Sequence, residues 1–406
     1  MAGALSHLRV LDLSRVLAGP WAGQMLADLG AEVIKVEKPV AGDDTRHWGP
    51  PFLRAPDGTD TGESAYYLAA NRGKRSLAID ITRPEGQDLI RRLARRCDVV
   101  LENFKVGGLA KYGLDYPALR AEKPDLVYCS ITGFGQDGPL AARAGYDFLV
   151  QGMGGLMSLT GAPDGEPMKV GVALTDLFTG MYATVAVLAA LAHRDRTGEG
   201  QAIDLALLDV QVAMLANQAS NYLVGGVVPT RLGNAHPNIV PYQAFATADG
   251  HVILAVGNDG QFRRFCAVAG RPDLADDPRF ATNTARVHHR ETLIPLLRSL
   301  MSGRNSREWI AALEAEGVPC GPINRLDQVF DNEQLRHRGM VATLPHPLGG
   351  SVRTVANPIK LSATPVAYDR PPPLLGADTA GLLHELLGLD EDEIAALAAR
   401  GAIGRG

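Results

Sequence analysis

The stretch from residue 8 to residue 37 limits the fold more than any other part of this chain. Residues 8–13 form a short apolar run, and 15–20 make a turn that ends in Gly19-Pro20. Residues 21–29 carry apolar side chains at helical spacing, with Gly30 placed to stop the helix, and 31–37 alternate as a strand. Strand, turn, helix and strand within about thirty residues make a βαβ unit, the seed of a parallel sheet.

The pattern recurs. Residues 77–81, 98–102, 126–131 and 201–207 read as further strands, and 84–96 as a helix with Pro84 at its start. This predicts an α/β fold with a large doubly wound Rossmann-like domain. At 406 residues the chain exceeds what one core organises, so a second domain is expected. After a helix at 208–223 and a linker at 225–229, a strand at 251–256 and helices at 261–269, 290–301 and 306–316 form a smaller α/β block. The expected division is 1–224 for the large domain, 225–327 for the small one, and 328–406 for a return to the first, ending in helices at 379–387 and 391–400. The polar, Pro- and Gly-rich segment 41–63 is a long loop, of the kind that usually carries function.

Charge and cysteine usage narrow the function classes. Forty basic residues against 45 acidic ones give a net charge of −5, which argues against non-specific nucleic-acid binding. Cys97, Cys129, Cys266 and Cys320 show no C-x-x-C spacing and read as buried thiols of a reducing compartment. The amino terminus lacks a signal-peptide pattern, and the most apolar segment, 182–191, is too short to span a bilayer. A soluble cytoplasmic protein without a membrane partner is expected.

Familiar catalytic motifs are missing: no G-x-G-x-x-G follows the first strand, and there is no P-loop, H-E-x-x-H or G-x-S-x-G. No metal site is expected, since His288 and His289 are adjacent and cannot both face one ion from a helix. What remains is Asp176, between a strand-like run at 169–174 and an apolar helix at 177–193. An aspartate there is by default a helix cap. The functional alternative is that helix N–H groups keep its carboxylate ionised in a dry pocket, where it attacks an acyl carbon. The run Arg72-Gly73-Lys74-Arg75 is by default a solvated turn. With Lys35, Lys38, Lys105 and Lys111, however, it supplies cations near strand ends where a phosphate ligand would bind.

Several stretches together resemble the class III CoA-transferases, the formyl-CoA transferase and CaiB-BaiF-like family. They are Leu11-Asp12-Leu13-Ser14-Arg15-Val16-Leu17-Ala18-Gly19-Pro20, Leu26-Ala27-Asp28-Leu29-Gly30-Ala31-Glu32-Val33-Ile34-Lys35-Val36-Glu37, Asn71-Arg72-Gly73-Lys74-Arg75-Ser76 and Glu102-Asn103-Phe104. Gly133-Phe134-Gly135, Ala144-Gly145-Tyr146-Asp147, Gly317-Val318-Pro319-Cys320-Gly321-Pro322 and Pro373-Leu374-Leu375-Gly376 complete the set. The resemblance implies that Asp176 is a covalent nucleophile and that coenzyme A or acyl-CoA is a substrate rather than a bound cofactor. It implies CoA contacts at Val16, Leu17, Lys38, Ile79, Asp80, Thr82, Asn103, Phe104, Lys111, Arg143 and Tyr146. It also implies an interlocked homodimer.

Residues 169–182 look most like the succinate–hydroxymethylglutarate branch, which implies dicarboxylate substrates. Arg15, Arg46 and His236 are the candidates to hold a second carboxylate. Formyl-CoA transferases have glutamine where Leu17 stands here, and a glycine-rich loop where nothing comparable follows Gly233; both differences argue against formyl and oxalate substrates. Two alternatives remain. One is an α-methylacyl-CoA racemase, which would need histidine in place of Tyr146 in Gly145-Tyr146-Asp147. The other is a CoA-binding protein without catalysis.

Overall fold

Six strands of the computed structural model, which describes residues 3–404, form one parallel sheet. They are β1 (Arg9–Asp12), β2 (Glu32–Glu37), β3 (Lys74–Ala78), β4 (Val99–Glu102), β5 (Val127–Thr132) and β6 (Ala202–Ala206). Their spatial order is β3-β2-β1-β4-β5-β6, with every neighbouring pair parallel. The chain runs outward from β1 to β3, then returns to β1's other side as β4. The strand order therefore reverses between β1 and β4, and in sheets of this kind ligands bind beyond the carboxyl ends at such a point.

Alternation along each strand feeds two cores. Leu11, Ile34 and Val100 point to one, shared with Leu89 and Leu93 of the helix Pro84–Ala94 and with Leu382 and Leu383 near the carboxyl terminus. Val10, Val33, Leu101 and Cys129 point to the other. That second core is covered by α1 (Ala18–Asp28), through Ala22 and Leu26, and by a helix at Leu174–Thr197, through Ala183, Val187 and Leu191. Both faces of the sheet are thus apolar, which explains why β4 and β5 are buried along their whole length. Each fully buried aliphatic side chain contributes about 1.5–3 kcal/mol, so truncating Ile34 to alanine should cost about 2–5 kcal/mol.

Several expectations need correction. The third strand begins at Lys74 rather than 77, because the preceding basic run is not a solvated turn: Arg72 and Lys74 are buried and ion-paired inside the fold. Residues 169–173 form no strand, and the following helix spans 24 residues from Leu174. By length and composition that helix could cross a membrane, contrary to the short segment expected, yet one face of it lies in the second core. The helix at 208–223 is two helices, Leu207–Ala213 and Ala216–Gly225, broken where Ala216 takes φ 43°. The segment expected as a loop at 41–63 holds a 3₁₀ turn (Asp44–His47) and most of an antiparallel hairpin (Phe52–Arg54 with Asp60–Ser64).

The chain divides into two compact units. The first holds the parallel sheet and comprises the residues up to Gly155, Val170–Ala219, and those from Glu333 onward. The second comprises Leu156–Lys169 and Ser220–Asn332. Its antiparallel sheet, Cys320–Pro322, His251–Ala255 and Tyr242–Ala246, packs with Phe262, Phe265 and Trp309 in a core of its own. The boundaries fall at 219/220 and 332/333 instead of 224/225 and 327/328, and residues 156–169 leave the unit to which the sequence assigned them.

Candidate active site

Just beyond the carboxyl ends of the strands, the first unit holds a partly open cavity of ≈ 540 Å³. Arg15, Val16 and Leu17 enter it after β1, Lys38 after β2, and Ile79, Asp80 and Thr82 after β3. Asn103, Phe104 and Lys111 follow β4, Arg143 and Tyr146 follow β5, and Asp176 faces the cavity from the first turn of the Leu174–Thr197 helix. Residues from Arg15 to Asp176, 161 positions apart in sequence, meet here because parallel strands deliver all their outgoing loops to one edge.

The β1–α1 connection is held under strain. Val16 has φ 71°, a left-handed conformation unfavourable for a β-branched residue and costing about 1–3 kcal/mol. Two clamps hold it. The Asn103 side chain accepts from the Arg15 N–H at 2.9 Å and donates to the Arg15 carbonyl at 2.7 Å. Asp43 accepts from the Val16 N–H at 3.3 Å, and its other oxygen binds Lys35 at 2.8 Å. Burial alone would raise the Asp43 carboxyl, but Lys35 and Thr45 outweigh it and bring it down to about 2.

Most of the basic residues expected at a phosphate site are engaged elsewhere. Lys35 pairs with Asp43, Arg72 with Asp28, Lys74 with Asp12, and Arg75 with Glu32 and Glu385. A buried ammonium without a partner would cost several kcal/mol, so these pairings are conditions of folding. The exposed cations on the cavity are Arg15, Lys38, Lys105, Lys111 and Arg143.

Of the candidates for a substrate's second carboxylate, Arg46 is excluded by its surroundings. Its guanidinium bonds Glu37 at 2.8 and 2.9 Å, Glu63 at 3.2 Å and the Pro373 carbonyl at 2.9 Å, and it stacks 3.7 Å over Tyr67. No donor is left for a ligand. His236 belongs to the second unit, where its Nδ1 accepts from the Asn238 N–H and its ring tilts against Tyr242. Arg15 lines the cavity, paired with Asp44 at 3.0 Å and lying over the Phe104 ring.

Asp176 is 9% exposed, and its carboxyl is pushed up to about 7, first by burial and then by the charge of Asp147. This reverses the expectation that helix amides keep it ionised. The N–H groups of Thr175 and Asp176 both go to the Asp147 carboxylate, at 2.8 and 3.3 Å. Nothing local in Gly145-Tyr146-Asp147 marks Asp147 as the partner of amides 28 and 29 positions later. Tyr66 likewise carries no signal in sequence, yet its phenol is raised by burial and then by Asp176 and Asp147. A carboxylate that is desolvated, uncompensated and open to a cavity with a cationic rim is basic enough to attack an electrophilic carbonyl carbon.

Residues 5–379 match the CoA-transferase family III profile. The chain is 57% identical to the succinate–glutarate CoA-transferase of Agrobacterium fabrum, over 94% of this chain and 95% of that protein. It is 45% identical to the succinyl-CoA:glutarate CoA-transferase of Homo sapiens, over 98% of this chain and 90% of that one. A solved CaiB/BaiF family protein from Brucella suis superposes with a TM-score of 0.84 at 50% identity, covering 95% of this chain and 100% of its own. With a family match that spans all six strands and the cavity at their ends, the chain belongs to CoA-transferase family III and is an enzyme of the transferase class.

Proposed function

We propose that this enzyme moves CoA from succinyl-CoA to glutarate or a dicarboxylate of similar length, with Asp176 as the covalent nucleophile. The observation that carries the reading is the buried, raised carboxylate of Asp176 on the cavity at the carboxyl edge of the sheet. The names of the relatives support the choice of acids.

The steps conserve the thioester, so no ATP is consumed. The Asp176 carboxylate attacks the succinyl carbonyl, and CoA thiolate leaves a succinyl–aspartyl anhydride. The thiolate then attacks the aspartyl carbonyl, releasing succinate and forming an aspartyl-CoA thioester. Glutarate attacks that thioester and frees the thiolate, which takes the glutaryl group from the second anhydride and regenerates Asp176. Water would destroy each intermediate, and the burial of Asp176 serves its exclusion. We assign the CoA phosphates to Lys38, Lys105, Lys111 and Arg143, which are exposed cations on the cavity, with Asn103, Phe104 and the 79–82 turn along the rest of CoA. Arg15 is the cation proposed to meet the far carboxylate of the acceptor.

We assign the functional unit as a homodimer in a reducing, cytoplasmic setting. Phe178, Met181, Tyr182 and Val185 are exposed at positions that form one stripe on the helix carrying Asp176. Val172, Phe148 and Met153 are exposed in the same unit. An apolar area of this kind fits a second copy of the chain, and the family resemblance supports an interlocked arrangement.

The test offers succinyl-CoA with glutarate, pentanoate and a panel of other acids, and follows acyl-CoA products by mass spectrometry. Glutaryl-CoA should form, and hydroxylamine should trap the acyl-enzyme at Asp176. Equal efficiency for glutarate and pentanoate would refute dicarboxylate recognition. Exchange of an α-proton without transfer would refute the transferase chemistry.

A further inference from the structure

The helix that carries Asp176 has no cap of its own. Ala173 precedes it and offers no side-chain acceptor. A carboxylate in the first turn of a helix normally draws stabilisation from the free amides there. Here a second carboxylate takes two of them. Asp147 opens the short helix Asp147–Met153, and its Oδ1 accepts from Thr175 N at 2.8 Å and Asp176 N at 3.3 Å. Its Oδ2 accepts from Gln151 Nε2 at 2.6 Å, and Gln151 Oε1 accepts from Val170 N at 2.9 Å. On the other side Gln211 accepts from the Thr175 hydroxyl at 2.6 Å. Gln151 and Gln211 are both fully buried. The segment leading into Asp176 is thus braced at Val170, Thr175 and Asp176 itself.

Resting on the reading of Asp176 as nucleophile, we propose that Asp147 is a positioning residue: it withholds the helix amides from Asp176, faces it with like charge, and so keeps its attacking oxygen uncompensated and reactive. Among the described residues, the titratable groups that act on Asp176 from neighbouring elements are Asp147 and Tyr66 of the helix Ala65–Ala70. Tyr66 stays protonated, because burial and both aspartates raise its phenol. Asp147 is therefore the charge that matters. A carboxylate tuned close to the working pH combines strong nucleophilicity with a usable ionised fraction, which is the compromise general to catalytic acids and bases.

Asp147→Asn removes the charge while its amide oxygen can still accept the two N–H groups, at the loss of the bond that Oδ2 accepts from Gln151 Nε2. The pH profile of kcat for succinyl-CoA and glutarate is measured for the wild type, Asp147→Asn and Asp147→Glu. In the wild type the acidic limb should lie near 7. In Asp147→Asn it should move at least about one pH unit lower, with kcat at pH 8 falling by up to about tenfold per unit of that shift and KM for succinyl-CoA changing less than about threefold. Asp147→Glu keeps the charge and should keep the limb in place. A limb that stays put in Asp147→Asn, or moves equally in Asp147→Glu, overturns the inference. Asp176→Asn distinguishes the two levels of the argument: if it is inactive while the limb of Asp147→Asn is unmoved, only the role of Asp147 fails. If Asp176→Asn retains transfer, the nucleophile reading falls with it.

Discussion

Replacing Asp176 by asparagine should abolish transfer and at the same time stabilise the enzyme, by an amount that depends on pH. The Asp176 carboxyl rises from 3.8 to about 7 in the native state, and the group is almost wholly buried. The folded protein therefore binds this proton more tightly than the unfolded chain does. Below 3.8 both states are protonated and the group contributes no penalty. As pH climbs from there to about 7, the unfolded chain releases its proton first and native stability falls. Above about 7 the full cost is present, and three units at 1.36 kcal/mol each set it at about 4 kcal/mol. Asparagine has nearly the same shape and no titration. Its advantage over aspartate should thus widen by roughly 2–3 kcal/mol between pH 5 and pH 8, or roughly 3 °C in Tm for a chain of this length. Melting curves of both proteins at pH 5, 6, 7 and 8, at one protein concentration, read the effect as a difference in which all other titrating groups cancel. A difference in Tm that is flat across this range would refute the claim that Asp176 is buried without compensation. A wild type that gains on the mutant as pH rises would show that a donor, rather than desolvation, dominates its surroundings. Activity follows the opposite course: an amide cannot form the proposed anhydride, and the mutant should lose several orders of magnitude in kcat.

The clamp on the β1–α1 connection gives a second expectation: Asn103→Ala removes both hydrogen bonds to the Arg15 backbone and lets Val16 relax. KM for succinyl-CoA should rise about tenfold or more, in steady-state kinetics, with a smaller change in kcat. Arg15→Gln should weaken glutarate as an acceptor by about 2 kcal/mol and leave pentanoate nearly unchanged; equal losses would assign Arg15 to CoA instead. A threaded dimer cannot part without unfolding, so sedimentation should show no monomer on dilution to nanomolar concentration, and a reversible micromolar equilibrium would contradict the arrangement.

The parallel sheet was legible in the sequence because its signal is local and repeated. Each strand is a short apolar run beside a turn residue, and each crossover has a helical period, so β1, β2, β4, β5 and β6 lie within about two residues of their expected places. The third strand was misplaced for an instructive reason. Lys74 and Arg75 look like surface residues by type, yet Lys74 is fully buried against Asp12, Asn71 and the Pro20 carbonyl. Nothing in the basic run reveals that Lys74 meets Asp12 and Pro20, 62 and 54 positions earlier. The same blindness misassigned Arg46, whose acceptors Glu37, Glu63 and Pro373 come from three separate segments. Long-range pairing of charges is invisible to periodicity, whereas burial of apolar residues is not.

That asymmetry also explains what the sequence could and could not say about the site. The loops at the carboxyl edge are predictable once a parallel sheet is accepted, which is why the residues expected to contact CoA gather on one cavity. The electrostatic character of that cavity is a different matter, because it depends on which charges are already spent. Lys35, Arg72, Lys74 and Arg75 are neutralised inside the protein, which leaves only an exposed rim of cations for a ligand. The helix amides at Asp176 are likewise spent, on Asp147. Spending them there follows a consistent logic. Charges that would stabilise the resting carboxylate would equally lower its reactivity toward a thioester, since only interactions stronger in the transition state than in the ground state accelerate a step. An aspartate cap looks the same in sequence whether it is the residue that is stabilised or the residue that takes another's stabilisation away. Only the direction of two N–H groups at 2.8 and 3.3 Å decides between them, and it makes Asp147 the cap of this helix.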